Sequence, residues 1–77
     1  MSTNREKALA VIAKVAAADP AGLAPEMDLV ADLGVDSPRA LQLLVELEER
    51  LGIEISDEEA ARMQTVGDVL ACAERGR

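Results

Sequence analysis

An aspartate, a serine and a proline stand together at Asp36-Ser37-Pro38, where a segment of helical periodicity begins. A hydroxyl in that place has two ordinary uses. It can cap the helix by accepting from a backbone N–H in the first turn, or it can be a point at which another group is attached. Taken alone, Asp36-Ser37 points to the cap. Catalysis by the hydroxyl has no support, because the chain contains no histidine and a Ser-His-Asp arrangement cannot form. One cysteine, Cys72, gives neither an intrachain disulfide nor a Cys/His set for zinc. The acids do not follow the spacing of a calcium loop, and no glycine-rich phosphate cradle is present. The chain therefore reads as one that is acted upon, with no catalytic residue and no metal site of its own.

The elements that position Ser37 follow from periodicity and caps. Apolar residues Ala8, Leu9, Ile12, Val15 and Ala16 share one helical face, with Lys7 and Lys14 opposite. Thr3 and Glu6 have capping-box spacing, so a first helix is expected over Asn4–Ala18, closed by Asp19-Pro20. Residues 19–36 form a long connection, or one that carries a short helical turn, with Leu23, Met27, Leu29 and Leu33 as anchors. A second helix is expected over Ser37–Leu51, with Ser37 as N-cap, Pro38 at the first helical position and Gly52 as a left-handed C-cap. Ile53-Glu54-Ile55 reads as an extended link with both isoleucines inward. Ser56 with Glu59 opens a short third helix to about Arg62, and Thr65 with Asp68 opens a last one to about Glu74, its stripe being Val66, Val69, Leu70 and Ala73. Four helices and no strand predict a small all-α four-helix bundle, one domain over residues 1–77, with a long first loop and a short third helix.

The second helix has more apolar surface than a core needs. With Ala40 as origin, Leu43, Leu44, Leu47 and Leu51 fall within about 60° of it, by the turn of about 100° per residue. Pro38, Leu41 and Val45 form a second stripe beside Ser37, bordered by Gln42, Glu48 and Glu49; Arg39, Glu46 and Arg50 occupy the third flank, Glu46 and Arg50 at pairing distance. Two readings of the stripe stand open. Either the long loop or the third helix covers it, or it is a docking strip whose glutamates steer a basic partner.

Composition limits the partners. Of 77 residues, 49% are hydrophobic, which favours folding over disorder, and the lack of any aromatic makes the core aliphatic. The net charge is −7, yet the segment from Glu26 to Glu59 holds eleven acids and two bases. That field repels nucleic acid and anionic membrane and attracts basic protein surfaces. No apolar run reaches spanning length and no signal-peptide core is present, so the chain is read as a cytoplasmic monomer; Met1 and the short tails read as those of a free-standing protein.

The full pattern is more specific than any of its parts. Asp32-Leu33-Gly34-Val35-Asp36-Ser37, then Leu43-Leu44-Val45-Glu46-Leu47-Glu48-Glu49, Leu51-Gly52-Ile53-Glu54-Ile55, Asp57-Glu58-Glu59 and Thr65-Val66-Gly67-Asp68-Val69 closely resembles the acyl carrier proteins, without a gap from Leu29 to Leu70. The resemblance implies a four-helix carrier of the acyl-carrier type. It implies that Ser37, beside Asp36, receives 4′-phosphopantetheine from coenzyme A through a phosphopantetheinyl transferase. The terminal thiol would then carry acyl cargo as a thioester for fatty-acid, polyketide or related specialised biosynthesis. Pro38, Leu41, Val45, Glu48 and Glu49 would meet acyl-loading, synthase and tailoring enzymes with basic docking surfaces. Three residues depart from the family pattern: Pro38 where leucine is usual, and Arg39 and Gln42 where acids are common. Two alternatives remain, an aminoacyl or peptidyl carrier and an unmodified helical adaptor in which Ser37 only caps.

Overall fold

The computed structural model describes residues 3–75. Helix α1 spans Asn4–Ala16. Its entrance is the expected capping box, in which Thr3 Oγ1 accepts from Glu6 N at 3.1 Å and the Glu6 carboxylate accepts from Thr3 N at 3.0 Å. The helix stops two residues short of the expected end. Ala17 takes a left-handed conformation (φ 56°) and its N–H returns to Ala13 O and Lys14 O, so the chain turns before Asp19-Pro20 can act. Asp19 instead caps a single 3-10 turn, Pro20–Gly22.

Helix α2 spans Ser37–Leu51 and ends at Gly52, whose φ of 66° is the left-handed C-cap that its lack of a Cβ permits. Helix α3 spans Asp57–Arg62 behind a Ser56 cap, and α4 spans Val66–Arg75. At the entrance of α4, Thr65 Oγ1 accepts from Asp68 N at 3.2 Å, while Asp68 accepts from Thr65 N at 3.1 Å and Gln64 N at 3.0 Å. Among the described residues there is no strand, only an isolated antiparallel bridge between Asp28 and Thr65.

Helix α1 lies between α2 and α4. Its buried residues are Ala8, Val11, Ile12, Ala13 and Val15; Leu9 and Ala16, expected in the core, are half-buried. They meet Leu43 and Leu47 of α2 and the stripe Val66, Val69, Leu70 and Ala73 of α4, all of them buried. Ala40, Leu44 and Leu51 complete the α2 face at half burial. Ile53 is buried and Ile55 half-buried, as the extended link requires. Cys72 is buried and donates its thiol to Glu59 Oε2 at 3.5 Å, which ties α3 to α4. The expected Glu46–Arg50 pair gives way to a tertiary one: Lys14 Nζ of α1 reaches Glu46 Oε1 at 2.8 Å, and Gln42 donates to the other oxygen.

The long connection is a built structure. Backbone bonds from Leu29 N to Gln64 O, Val66 N to Met27 O and Gly67 N to Pro25 O fasten it across the start of α4 at 2.8 to 3.0 Å. A Cβ on Gly67 would stand 3.0 Å from Pro25 O, so glycine permits this approach. Leu29 and Val35 are the loop's buried anchors, with Leu23, Met27 and Leu33 packed partly beneath it.

Candidate functional site

The site is built on the entrance to α2, and the residue that caps it is Asp36. Its backbone is extended (φ −81°, ψ −178°) and its Oδ1 accepts from Arg39 N at 3.2 Å. This corrects the expected frame by one residue. Ser37 is the first helical residue, and Pro38 follows it within the first turn, where a missing N–H is harmless.

That shift changes what the hydroxyl is free to do. Four described residues carry an aliphatic hydroxyl: Thr3, Ser37, Ser56 and Thr65. Three of them are engaged as caps, Thr3 with Glu6 N at 3.1 Å, Ser56 with Glu59 N at 3.1 Å and Thr65 with Asp68 N at 3.2 Å. Ser37 is exposed and its hydroxyl makes no hydrogen bond among the described residues. Its exposed hydroxyl stands at the positive end of a helix of 15 residues, a setting that favours an anion placed there. These features fit a covalently attached phosphodiester.

The stripe beside Ser37 is uncovered. Leu41 is 64% exposed and Val45 45% exposed, and Pro38 and Glu49 are exposed with them. Glu48 differs from its neighbour: it is half-buried, and its carboxylate accepts from Ile55 N at 3.0 Å, which holds the extended link against α2. The first turn of α2 contains no acid, and Arg39 and Gln42 are exposed there.

Two carboxylates are held below their ordinary range. Glu46 is lowered first by the Lys14 hydrogen bond and then by that of Gln42. Asp68 is lowered by the backbone N–H groups of Gln64 and Thr65. Both serve the fold: Glu46 ties α2 to α1 and Asp68 caps the entrance of α4. Among the described residues no group of His, Cys, Asp or Glu is arranged to hold a metal, and no helix is long and apolar enough to cross a membrane.

Of the residues that the sequence reading grouped beside Ser37, Asp36, Ser37, Pro38, Leu41, Val45 and Glu49 are exposed and Glu48 is half-buried. That reading missed Val30, which is 67% exposed, and the burial of Val35. A signal for Val30 existed: Leu29, Val30 and Ala31 are the three uncharged residues between Asp28 and Asp32, and of the two large ones Leu29 is buried.

Known proteins agree with this geometry. The family described as "Phosphopantetheine attachment site" matches residues 6–73. An acyl carrier protein of Thermosynechococcus vestitus is 43% identical over 65 residues, 84% of this chain and 80% of that protein. One from Helicobacter pylori is 46% identical over 61 residues, 79% of this chain and 78% of the relative. Among solved structures, a candidate acyl carrier protein from Mycobacterium tuberculosis superposes with a TM-score of 0.87 at 36% identity, covering 95% of this chain and 97% of its own. The acyl carrier protein of Enterococcus faecalis gives 0.77 at 28% identity, covering 97% of this chain and 100% of its own.

Proposed function

The chain belongs to the acyl carrier protein family, whose members hold 4′-phosphopantetheine covalently and are carriers rather than enzymes, and on that premise we propose that Ser37 is the attachment point. The observation that carries the assignment is the free hydroxyl: of the four described, Ser37 alone has no capping bond, because Asp36 caps α2 in its place. In the transfer, Ser37 Oγ bonds to the phosphorus of the pantetheine-bearing phosphate of coenzyme A. The pyrophosphate P–O bond breaks, 3′,5′-ADP leaves, and the hydroxyl proton passes to a base of the phosphopantetheinyl transferase. The arm then supplies a thiol on which cargo is held as a thioester.

The cargo in this reading is acyl, since Gly34-Val35 precedes Asp36-Ser37 where aminoacyl and peptidyl carriers often have two glycines. Pro38, Arg39 and Gln42 alter the first half of α2, which supports partners in a specialised pathway over the common fatty-acid enzymes. Those partners meet Pro38, Leu41 and Val45 through apolar contact and are steered by Glu49, with Glu48 at the edge. The carrier works as a cytoplasmic monomer. The test is to isolate the protein from its host, digest it and map the modified peptide. This reading expects phosphopantetheine, with an acyl thioester released by hydroxylamine, on the peptide containing Ser37. An aminoacyl thioester would favour the alternative carrier class, and an unmodified Ser37 would favour the adaptor.

A further inference from the structure

Among the described residues three large hydrophobic ones are exposed: Leu41, Val45 and, most of all, Val30. The first two belong to the α2 stripe. Val30 belongs to the loop before it, and the turn that carries it is fully hydrogen-bonded. Asp28 Oδ1 accepts from Val30 N and Ala31 N at 2.8 Å, and Asp32 Oδ2 accepts from Asp28 N at 2.7 Å. Asp32 N and Leu33 N return to Asp28 O, Gly34 N to Val30 O and Val35 N to Leu29 O; Leu29 N crosses to Gln64 O. Every backbone N–H from Asp28 to Val35 is thereby satisfied. Gly34 closes the turn at φ 67°, where a side chain would be strained.

Leu29 and Val35 anchor the turn from below, while Val30 stands out 67% exposed. A valine at such a place gains nothing from the core. Single exposed apolar residues are ordinary on protein surfaces. This one is distinguished by its rigid mounting and its place: the bond from Gly34 N to Val30 O puts its Cα within about 18 Å of that of Ser37, by chain geometry alone. A round interface of about 800 Å² per partner is about 32 Å across, enough to include both residues. An enzyme that reaches the Ser37 hydroxyl and docks on Leu41 and Val45, which follow it in the chain, can also cover Val30, which precedes it.

We propose that Val30 is a second apolar contact for the phosphopantetheinyl transferase, so that the enzyme holds the carrier by residues before and after Ser37 in the chain. The assignment rests on Ser37 being the attachment point. The occupant has an apolar patch with a basic rim, since Asp32 and Asp36 are exposed on the same loop. The fixed turn means that little order must be imposed on Val30 when it is bound, which is why a single side chain can matter. Val30 touches no reacting atom; it fixes how the enzyme sits.

The test measures phosphopantetheine transfer from coenzyme A by a broad-specificity transferase, on the wild type and on Val30→Ser, Leu41→Ser and Ala71→Ser, the last at an exposed site on α4. Val30→Ser is expected to raise KM for the carrier by about tenfold with kcat kept, as loss of one apolar anchor does. Leu41→Ser should do the same and Ala71→Ser should change nothing. An unchanged KM in Val30→Ser beside a raised one in Leu41→Ser overturns the proposal, as does a loss of cooperative unfolding in Val30→Ser, which would make the residue structural. A folded wild type that accepts no phosphopantetheine removes the attachment reading itself and Val30 with it.

Discussion

Asp36 and Ser37 are neighbours with separable tasks, and stability measurements can separate them. Asp36 Oδ1 satisfies the N–H of Arg39, one of the unpaired donors at the start of α2. Asp36→Ala is expected to lower unfolding free energy by about 1 kcal/mol, as loss of an N-cap does. Ser37→Ala removes an exposed hydroxyl with no partner, and its effect should stay within about 0.5 kcal/mol. Urea unfolding of the two variants checks this, and the reverse order would make Ser37 the cap. The sequence could not choose between them. Aspartate and serine cap equally well, and Pro38 suits either frame. Geometry decides, through one bond of 3.2 Å to Arg39 N.

At the scale of the element, α2 carries two adjacent glutamates with different duties. Glu49 is exposed and on the proposed reading steers a partner, whereas Glu48 fastens Ile55 N to the helix. Glu49→Lys should slow transfer to Ser37 more at low salt than at high salt, with stability unchanged. Glu48→Lys should slow transfer and also lower stability by about 1 to 3 kcal/mol, because a half-buried N–H loses its acceptor. Initial rates at two salt concentrations, with an unfolding curve for each variant, check both; an equal loss at both salt levels in Glu49→Lys would argue against steering. Most helix limits were legible because local chemistry sets them: Thr3, Ser56 and Thr65 cap, and Gly52 ends α2. The early end of α1 was not, since alanine rarely takes the left-handed form that Ala17 adopts. The partner of Glu46 was not legible either, because Lys14 lies 32 residues away and only the packing of α1 on α2 brings it there. The loop was read as anchored by Leu23, Met27, Leu29 and Leu33, and Leu29 is buried while the other three pack half-buried against the core, but its bonds to Gln64, Val66 and Gly67 are between distant segments and leave no local pattern.

At the scale of the whole molecule, the acidity has a structural side and a functional side. Glu46 and Asp68 are held below their ordinary values of 4.5 and 3.8 by hydrogen bonds within the fold. A carboxylate whose folded pKa is lowered stabilises the fold fully above its unfolded pKa, and that contribution is lost as pH falls through the folded value. Glu46→Gln and Asp68→Asn are therefore expected to be less stable than the wild type at pH 7, with the gap closing below about pH 4.5 for Glu46 and below about pH 3.8 for Asp68. Urea unfolding across pH 3 to 7 checks this; a gap that is constant with pH would assign the loss to packing. The remaining acids of residues 26–59 contribute to the field around Ser37. On the proposed reading, an aliphatic core, a capped helix and a tied loop hold the Ser37 hydroxyl in that field and leave its chemistry to partners.

The most direct test of this account is an intact mass after the apo-protein is incubated with coenzyme A, Mg²⁺ and a broad-specificity phosphopantetheinyl transferase. The wild type and Ser56→Ala should each gain one phosphopantetheine, and Ser37→Ala should gain none. A folded wild type without any gain across several transferases, or a gain that persists in Ser37→Ala, would contradict it.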